Sequence, residues 1–263
     1  MKPSLLLSLL ALLALACETA DEPQVVNTLG TDVRFEMTEY LEADARTLSF
    51  KFLTQKDFPC INYRIASDYQ VNGRAITVSL SEISESDVCL EAIGPAASFL
   101  DLGTLPEGDY DLSINIGKNL INTGQLSVTE AAYQITLNEA VSLVVDNPTL
   151  LRIPEEAVWG TIRYPRAETP AGHFFSKLRG LGATEQMLPQ GDYGYFTTNA
   201  SGTIELEETP FGIIEQSFLM RYEGEIRRLE QLVDEISADY GDEVSVRMHT
   251  AQGEDFTSHS RRK

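Results

Sequence analysis

Between residues 31 and 137 apolar and polar positions alternate with a period of two. Val33, Phe35 and Met37 are separated by polar residues, as are Leu48, Phe50 and Phe52, and then Ile61, Tyr63 and Ile65. The same spacing returns at Ile76, Val78 and Leu80, at Leu112, Ile114 and Ile116, at Leu126 and Val128, and at Tyr133, Ile135 and Leu137. Successive side chains of a strand point to opposite faces, so each run has one buried and one wet face. Stretches such as "ASDYQVNGR", "GPAAS", "LPEGD" and "GKN" supply turns between them. Many short alternating strands with no helical stretch predict an antiparallel β-sandwich.

Residues 138–157 form a connector, with one or two short strands punctuated by Asn147-Pro148 and Ile153-Pro154. From 158 to 257 the periods mix. Val158, Gly160, Ile162 and Tyr164 predict a strand. Thr169 and Pro170 suit the cap and first position of a helix. Phe174, Leu178 and Leu181 continue that helix until Gly180 and Gly182 stop it. "GDYGYFTTNASGTIELE" predicts a hairpin turning at Asn199 to Gly202, and "SFLMRYEG" a further strand. Ile226, Leu229, Leu232, Val233, Ile236 and Tyr240 trace an amphipathic helix ended by Gly241. Val244, Val246 and Met248 close with a strand, and residues 258–263 are a tail.

Two resemblances follow. "LGTLPEGDYDLSINIG" is similar to a strand entry in immunoglobulin-like or fibronectin-III-like domains, with Tyr110 placed as a tyrosine corner whose hydroxyl bonds back to the main chain. The order β-α-β-β-(β)-α-β resembles a ferredoxin-like plait, which carries no function with it. The expected fold is therefore two domains, an immunoglobulin-like sandwich over 31–137 and an α+β plait over 158–257. An internal echo, "LPEGDYDLS" at 105 and "LPQGDYGYF" at 188, reads as two uses of one turn.

At the N-terminus Lys2 precedes an apolar stretch, Leu5 to Ala16, broken only by Ser8. About twenty apolar residues are needed to span a bilayer. Twelve suit a signal-peptide core. "LALAC" resembles a bacterial lipoprotein lipobox, with Ala14 where Leu is more usual. The resemblance implies removal of residues 1–16 and a diacylglyceryl thioether on Cys17, usually with a further acyl chain, which together hold a protein stably at a membrane. Residues 17–30 are then a lipidated tether. The implied address is the cell envelope, at the outer membrane, with periplasmic and surface-facing orientations both open.

Charge narrows the partners. Without residues 1–16, 19 basic against 40 acidic residues leave a charge of −21. Nucleic-acid binding needs basic patches, so it is excluded as a function class. Assigning Cys17 to lipid leaves Cys60 and Cys89 as an even pair, and in an exported protein a disulfide between them is expected.

Catalytic chemistry leaves little trace. His173, His249 and His259 are the only histidines, and none has a metal-ligand or catalytic partner at a recognised spacing. No cofactor or metal is expected, and "PEGDYD" reads as a solvated turn. One pattern in the second domain carries a ligand hypothesis. If Val158, Ile162, Met220, Val246 and Met248 face the helices, then Trp159, Arg163, Arg221, Arg247 and His249 share the other face of the sheet, which a plait leaves open. Arginine forks and an indole plane suit a carboxylate, glycan or peptide. The same arginines could instead pair with Glu205 and Glu207, or the face could pack on the first domain. The function expected is a non-enzymatic binding or interaction module presented by its lipid, with an envelope protein, a peptide or a glycan as partner. A structural accessory of an envelope complex and a carboxylate-dependent hydrolase are the competing readings.

Overall fold

The computed structural model describes residues 28–85, 88–166, 170–206 and 210–258. The expected signal peptide, the Cys17 lipid site, residues 17–27 of the tether, and the tail from His259 onward lie outside the described residues.

The alternating region forms β1 (Val33–Glu42), β2 (Ala45–Phe58), β3 (Arg64–Asn72), β4 (Ala75–Ser84), β5 (Gly94–Asp101), β6 (Gly108–Ile116), β7 (Leu120–Val128) and β8 (Ala132–Leu137). The connector adds β9 (Leu143–Val145) and β10 (Thr149–Leu151). All ten hydrogen-bond into one sheet, in the order β10-β8-β7-β6-β4-β3-β5-β2-β1-β9. Three neighbours run parallel: β4 with β6, β1 with β9, and β3 with β5 through the single pair Arg64 and Ala97. The expected immunoglobulin-like sandwich of two separate antiparallel sheets is therefore overturned. One mixed sheet curls into a half-barrel around a shared core, in which Phe35, Phe50, Ile76, Ile114, Leu126 and Tyr133 meet. Alternation marks the buried face of each strand, and both arrangements need the same marks.

Strand register gives this sheet two poles. Val33 pairs with Thr54 near the end of β2, Phe58 with Gly94 at the start of β5, Arg64 with Ser84, and Leu80 with Ile116. The incoming chain at Thr28–Asp32, the loops around Cys60 and Cys89, and the turn at Gly117 therefore share one pole. At the other pole Glu42 pairs with Ala45 and Asn72 with Ala75, and there the second half of the chain attaches.

The Tyr110 hydroxyl donates to the Pro106 carbonyl at 2.7 Å, and the Arg74 guanidinium lies 4.6 Å from the Tyr110 ring while donating to the Pro106 and Glu107 carbonyls. The echo repeats the bond: the Tyr193 hydroxyl donates to the Pro189 carbonyl at 3.0 Å.

Near the second pole Glu39 is 2 % exposed. Its carboxylate accepts from the Tyr133 hydroxyl at 2.9 Å and from Arg152 Nε at 3.1 Å, and Arg46 Nη1 lies at 3.7 Å. Burial, then the neighbouring Glu39 charge, push the Tyr133 phenol well above its ordinary pKa. A buried carboxylate is tolerated only when paired and hydrogen-bonded, and two arginines and a phenol meet that need.

The second half contains β11 (Ala157–Pro165), α1 (Pro170–Gly180), β12 (Thr184–Glu185), β13 (Gly191–Asp192), β14 (Thr197–Thr198), β15 (Ile213–Arg221), α2 (Ile226–Tyr240), β16 (Ser245–Thr250) and β17 (Asp255–Thr257). Its main sheet is antiparallel, in the order β12-β15-β11-β16-β17, while β13 and β14 form a separate two-stranded sheet, with Thr198 of β14 also bridging to Ile204. Both helices pack on one face, where Phe174, Leu178, Leu229 and Ile236 cover Val158, Ile162, Met220, Val246 and Met248. A simple ferredoxin-like plait with an open second face is not what forms. The segment after β12 crosses that second face, and β17 extends the edge.

Candidate functional site

The register fixes which side chains share the crossed face. Trp159 stands opposite Leu219 and His249, Thr161 opposite Ser217 and Arg247, and Arg163 opposite Glu215 and Ser245. The face partition expected from sequence is thus the one observed, but its two ends have different fates.

At the end nearer the first sheet the face is buried. Trp159 is 3 % exposed and clusters with Leu41 of β1, Ile153, Leu188, Tyr193, Leu219 and Ala251. The His249 imidazole stacks on the indole at 5.7 Å, and the Tyr195 and Phe196 rings approach it at 5.6 and 5.5 Å. The indole is therefore a core group and offers no free plane to a ligand. The aromatic segment is held from both sides. Its Tyr193 bonds to Pro189, and the Leu41 N–H donates to the Tyr195 hydroxyl at 3.1 Å. Burial raises the pKa of both Tyr193 and Tyr195. Gly253 (φ +85°) turns so close to β1 that a Cβ there would lie 2.3 Å from the Leu41 carbonyl oxygen. A side chain at that position would push the two halves apart.

The other end remains a cleft of about 490 Å³. Thr161, Arg163, Glu215 and Arg247 form its floor, and Tyr195, Phe196, Ile204 and Glu205 its wall. Arg163 Nε lies 3.3 Å from Glu215 Oε2, so that pair satisfies itself. Glu205 accepts from the Thr197 hydroxyl at 3.1 Å and does not reach the arginines as an ion pair. His249 Nδ1 bonds to Asp255 at the rim. Arg247 is exposed and, among the described residues, has no ion-pair partner. Glu207, one of the expected partners, lies outside the described residues.

Arg221 shares the face but not the cleft. It lies beyond Leu219, beside β12, and pairs with Glu223. Of the five residues expected on a ligand face, Arg163, Arg247 and His249 border the cleft and Trp159 supports it from below. Sequence reasoning missed the wall. Tyr195 and Phe196 follow the repeated "LPQGDY" turn, and that repeat was the available signal, because a second corner implies a second ordered crossover. A smaller cavity of about 340 Å³ lies on the other side of Ile204, lined by Phe175, Met187 and Phe218, where Gln186 Oε1 is buried without a hydrogen-bond partner among the described residues.

Cys60 and Cys89 are joined in a disulfide, their Cα atoms 5.3 Å apart. Asn62 reinforces the bridge, donating to the Val88 carbonyl at 2.6 Å and accepting from the Leu90 N–H at 3.1 Å. Among the described residues no group of three His, Cys, Asp or Glu side chains is placed to hold a metal ion, and no helix is long and apolar enough to cross a membrane. Comparison with protein-family models, with curated proteins and with solved structures found no match.

Proposed function

We propose that the chain is a lipid-anchored envelope protein whose C-terminal half binds a carboxylate-bearing ligand in the cleft over β11 and β16, without converting it chemically. The observation that carries the binding half of this reading is Arg247. It is an exposed guanidinium on a rigid strand, beside an aromatic wall, in a chain of net charge −20. Guanidinium forks match carboxylates bidentately. Thr161 adds a hydroxyl directly opposite, and Tyr195 an aromatic edge for the ligand's apolar body. The anchoring half rests on Lys2, the apolar stretch Leu5 to Ala16 and the "LALAC" that closes it.

The test is a calorimetric titration against uronic-acid oligosaccharides and peptides with free C-termini. A ligand of this class should bind, and Arg247→Ala should weaken it at least tenfold, which is about 1.4 kcal/mol. Equal binding by Arg247→Ala and the parent, or no binding across the panel, contradicts the assignment.

A further inference from the structure

We propose that the pole of the first sheet opposite the cleft is a membrane-contact surface, seated on the bilayer by the apolar side chains around the Cys60–Cys89 disulfide. Ile61 is 52 % exposed, Val88 69 %, Leu90 56 % and Ile93 78 %. These four are neighbours. The Ile61 N–H donates to the Leu90 carbonyl at 3.2 Å, Asn62 ties the same arm to Val88 and Leu90, and a Cβ on Gly94, next to Ile93, would lie 3.0 Å from Ile61 Cγ1. Isolated exposed apolar residues need no explanation, but a group held together by a disulfide and a bridging amide marks an interaction surface.

The occupant follows from where the chain enters, and here the inference rests on the lipid-anchor reading of Cys17. Thr28–Asp32 lies at this same pole: the Lys56 N–H donates to the Thr31 hydroxyl at 3.1 Å, and the Gln55 N–H to the Asp32 carbonyl at 2.8 Å, a few residues before Cys60. Between Cys17 and Thr28 lie eleven peptide steps. At roughly 3.3–3.6 Å per residue they reach at most about 40 Å, so a lipid on Cys17 confines this pole to within about that distance of the bilayer. Tethering raises the local concentration of the bilayer at the tip, so a contact too weak to hold a free protein can still set its orientation.

The charge around the patch is mixed, with Lys56 and Arg64 against Asp57, Glu85 and Glu91. The contact is therefore apolar and does not depend on anionic headgroups. Seated this way, strands of about ten residues at roughly 3.4 Å each hold the cleft some 30 Å or more from the lipid.

The experiment measures depth directly. In a Trp159→Phe background a single tryptophan is placed at the tip, Ile93→Trp or, independently, Leu90→Trp, and as a control at the distant exposed site Met187→Trp. The full chain, carrying whatever lipid the cell adds, is reconstituted in zwitterionic phosphatidylcholine vesicles with and without brominated acyl chains. If Cys17 takes up no palmitate in cells, the same chain is coupled through that thiol to a maleimide lipid. Failure of the anchor reading is then seen in the palmitate assay, and the seating is still tested. Brominated lipid should lower tip emission about twofold and leave the control unchanged, and adding anionic lipid should not alter this. Unquenched emission from both tip positions in vesicle-bound protein overturns the proposal, whether the tip is free in water or covered by a protein.

Discussion

The N–H of Leu41, at the end of β1, donates to the hydroxyl of Tyr195, the residue that walls the cleft, at 3.1 Å. The wall is thus held by the first sheet as well as by its own corner. Tyr195→Phe removes the acceptor of a part-buried amide, at a cost of about 1 kcal/mol. Denaturant unfolding followed by Trp159 emission measures it. Because Trp159 lies 5.6 Å from Tyr195, its emission should also shift in the folded state.

Glu39 should be among the least replaceable residues of the fold. Glu39→Gln removes the counter-charge of Arg46 and Arg152 where all three side chains are buried or nearly so. Breaking such a cluster costs about 3–5 kcal/mol. Tyr133→Phe removes one bond to the same carboxylate and should cost about 1 kcal/mol. Chemical denaturation of the two variants checks both values and their order.

The two corners can be compared. Tyr110→Phe and Tyr193→Phe each delete one hydroxyl-to-carbonyl bond of the same local geometry, for about 1 kcal/mol each. The sites share no partner, so the losses in a double variant should add. Only Tyr193→Phe should change ligand affinity, since the lost bond to Pro189 frees the ring that stacks on Phe196 of the cleft wall at 5.1 Å.

Alkaline pH should unfold the protein early. Tyr133, Tyr193, Tyr195 and Tyr222 have pKa values raised first by burial, and Tyr63 has one raised first by its bond to Glu85. A raised folded-state value favours the neutral phenol, so its contribution is complete below the unfolded value of about 10 and falls away above it. Stability measured from pH 8 to 12 should be flat up to about 10 and then decline. Tyr133→Phe should reduce the slope.

Reducing the Cys60–Cys89 bridge, which closes a sequence separation of 29, should cost about 3–4 kcal/mol. The cleft lies at the far pole, so ligand affinity of the reduced, still folded protein should be unchanged while membrane seating is lost.

The sequence made some of this legible and hid the rest. Val158 and Met248 against Trp159 and His249 could be assigned to opposite faces because period two decides facing without knowing neighbours. The Tyr110 corner was readable because Pro, Gly and Tyr each have a local reason to be there. What alternation cannot encode is which strands pair. The parallel join of β4 to β6, and the recruitment of Leu143–Val145 and Thr149–Leu151 to the sheet edges, depend on contacts far apart in the chain. The covering of Trp159 was hidden for the same reason, because Leu41 and Tyr195 are 154 residues apart.

The measurement that decides the most is incorporation of labelled palmitate by the full chain in a bacterial host, compared with Cys17→Ser. Lipid anchorage predicts label on the parent, none on Cys17→Ser, and release of that variant from the membrane fraction. An unlabelled parent, or equal label on both, would contradict it.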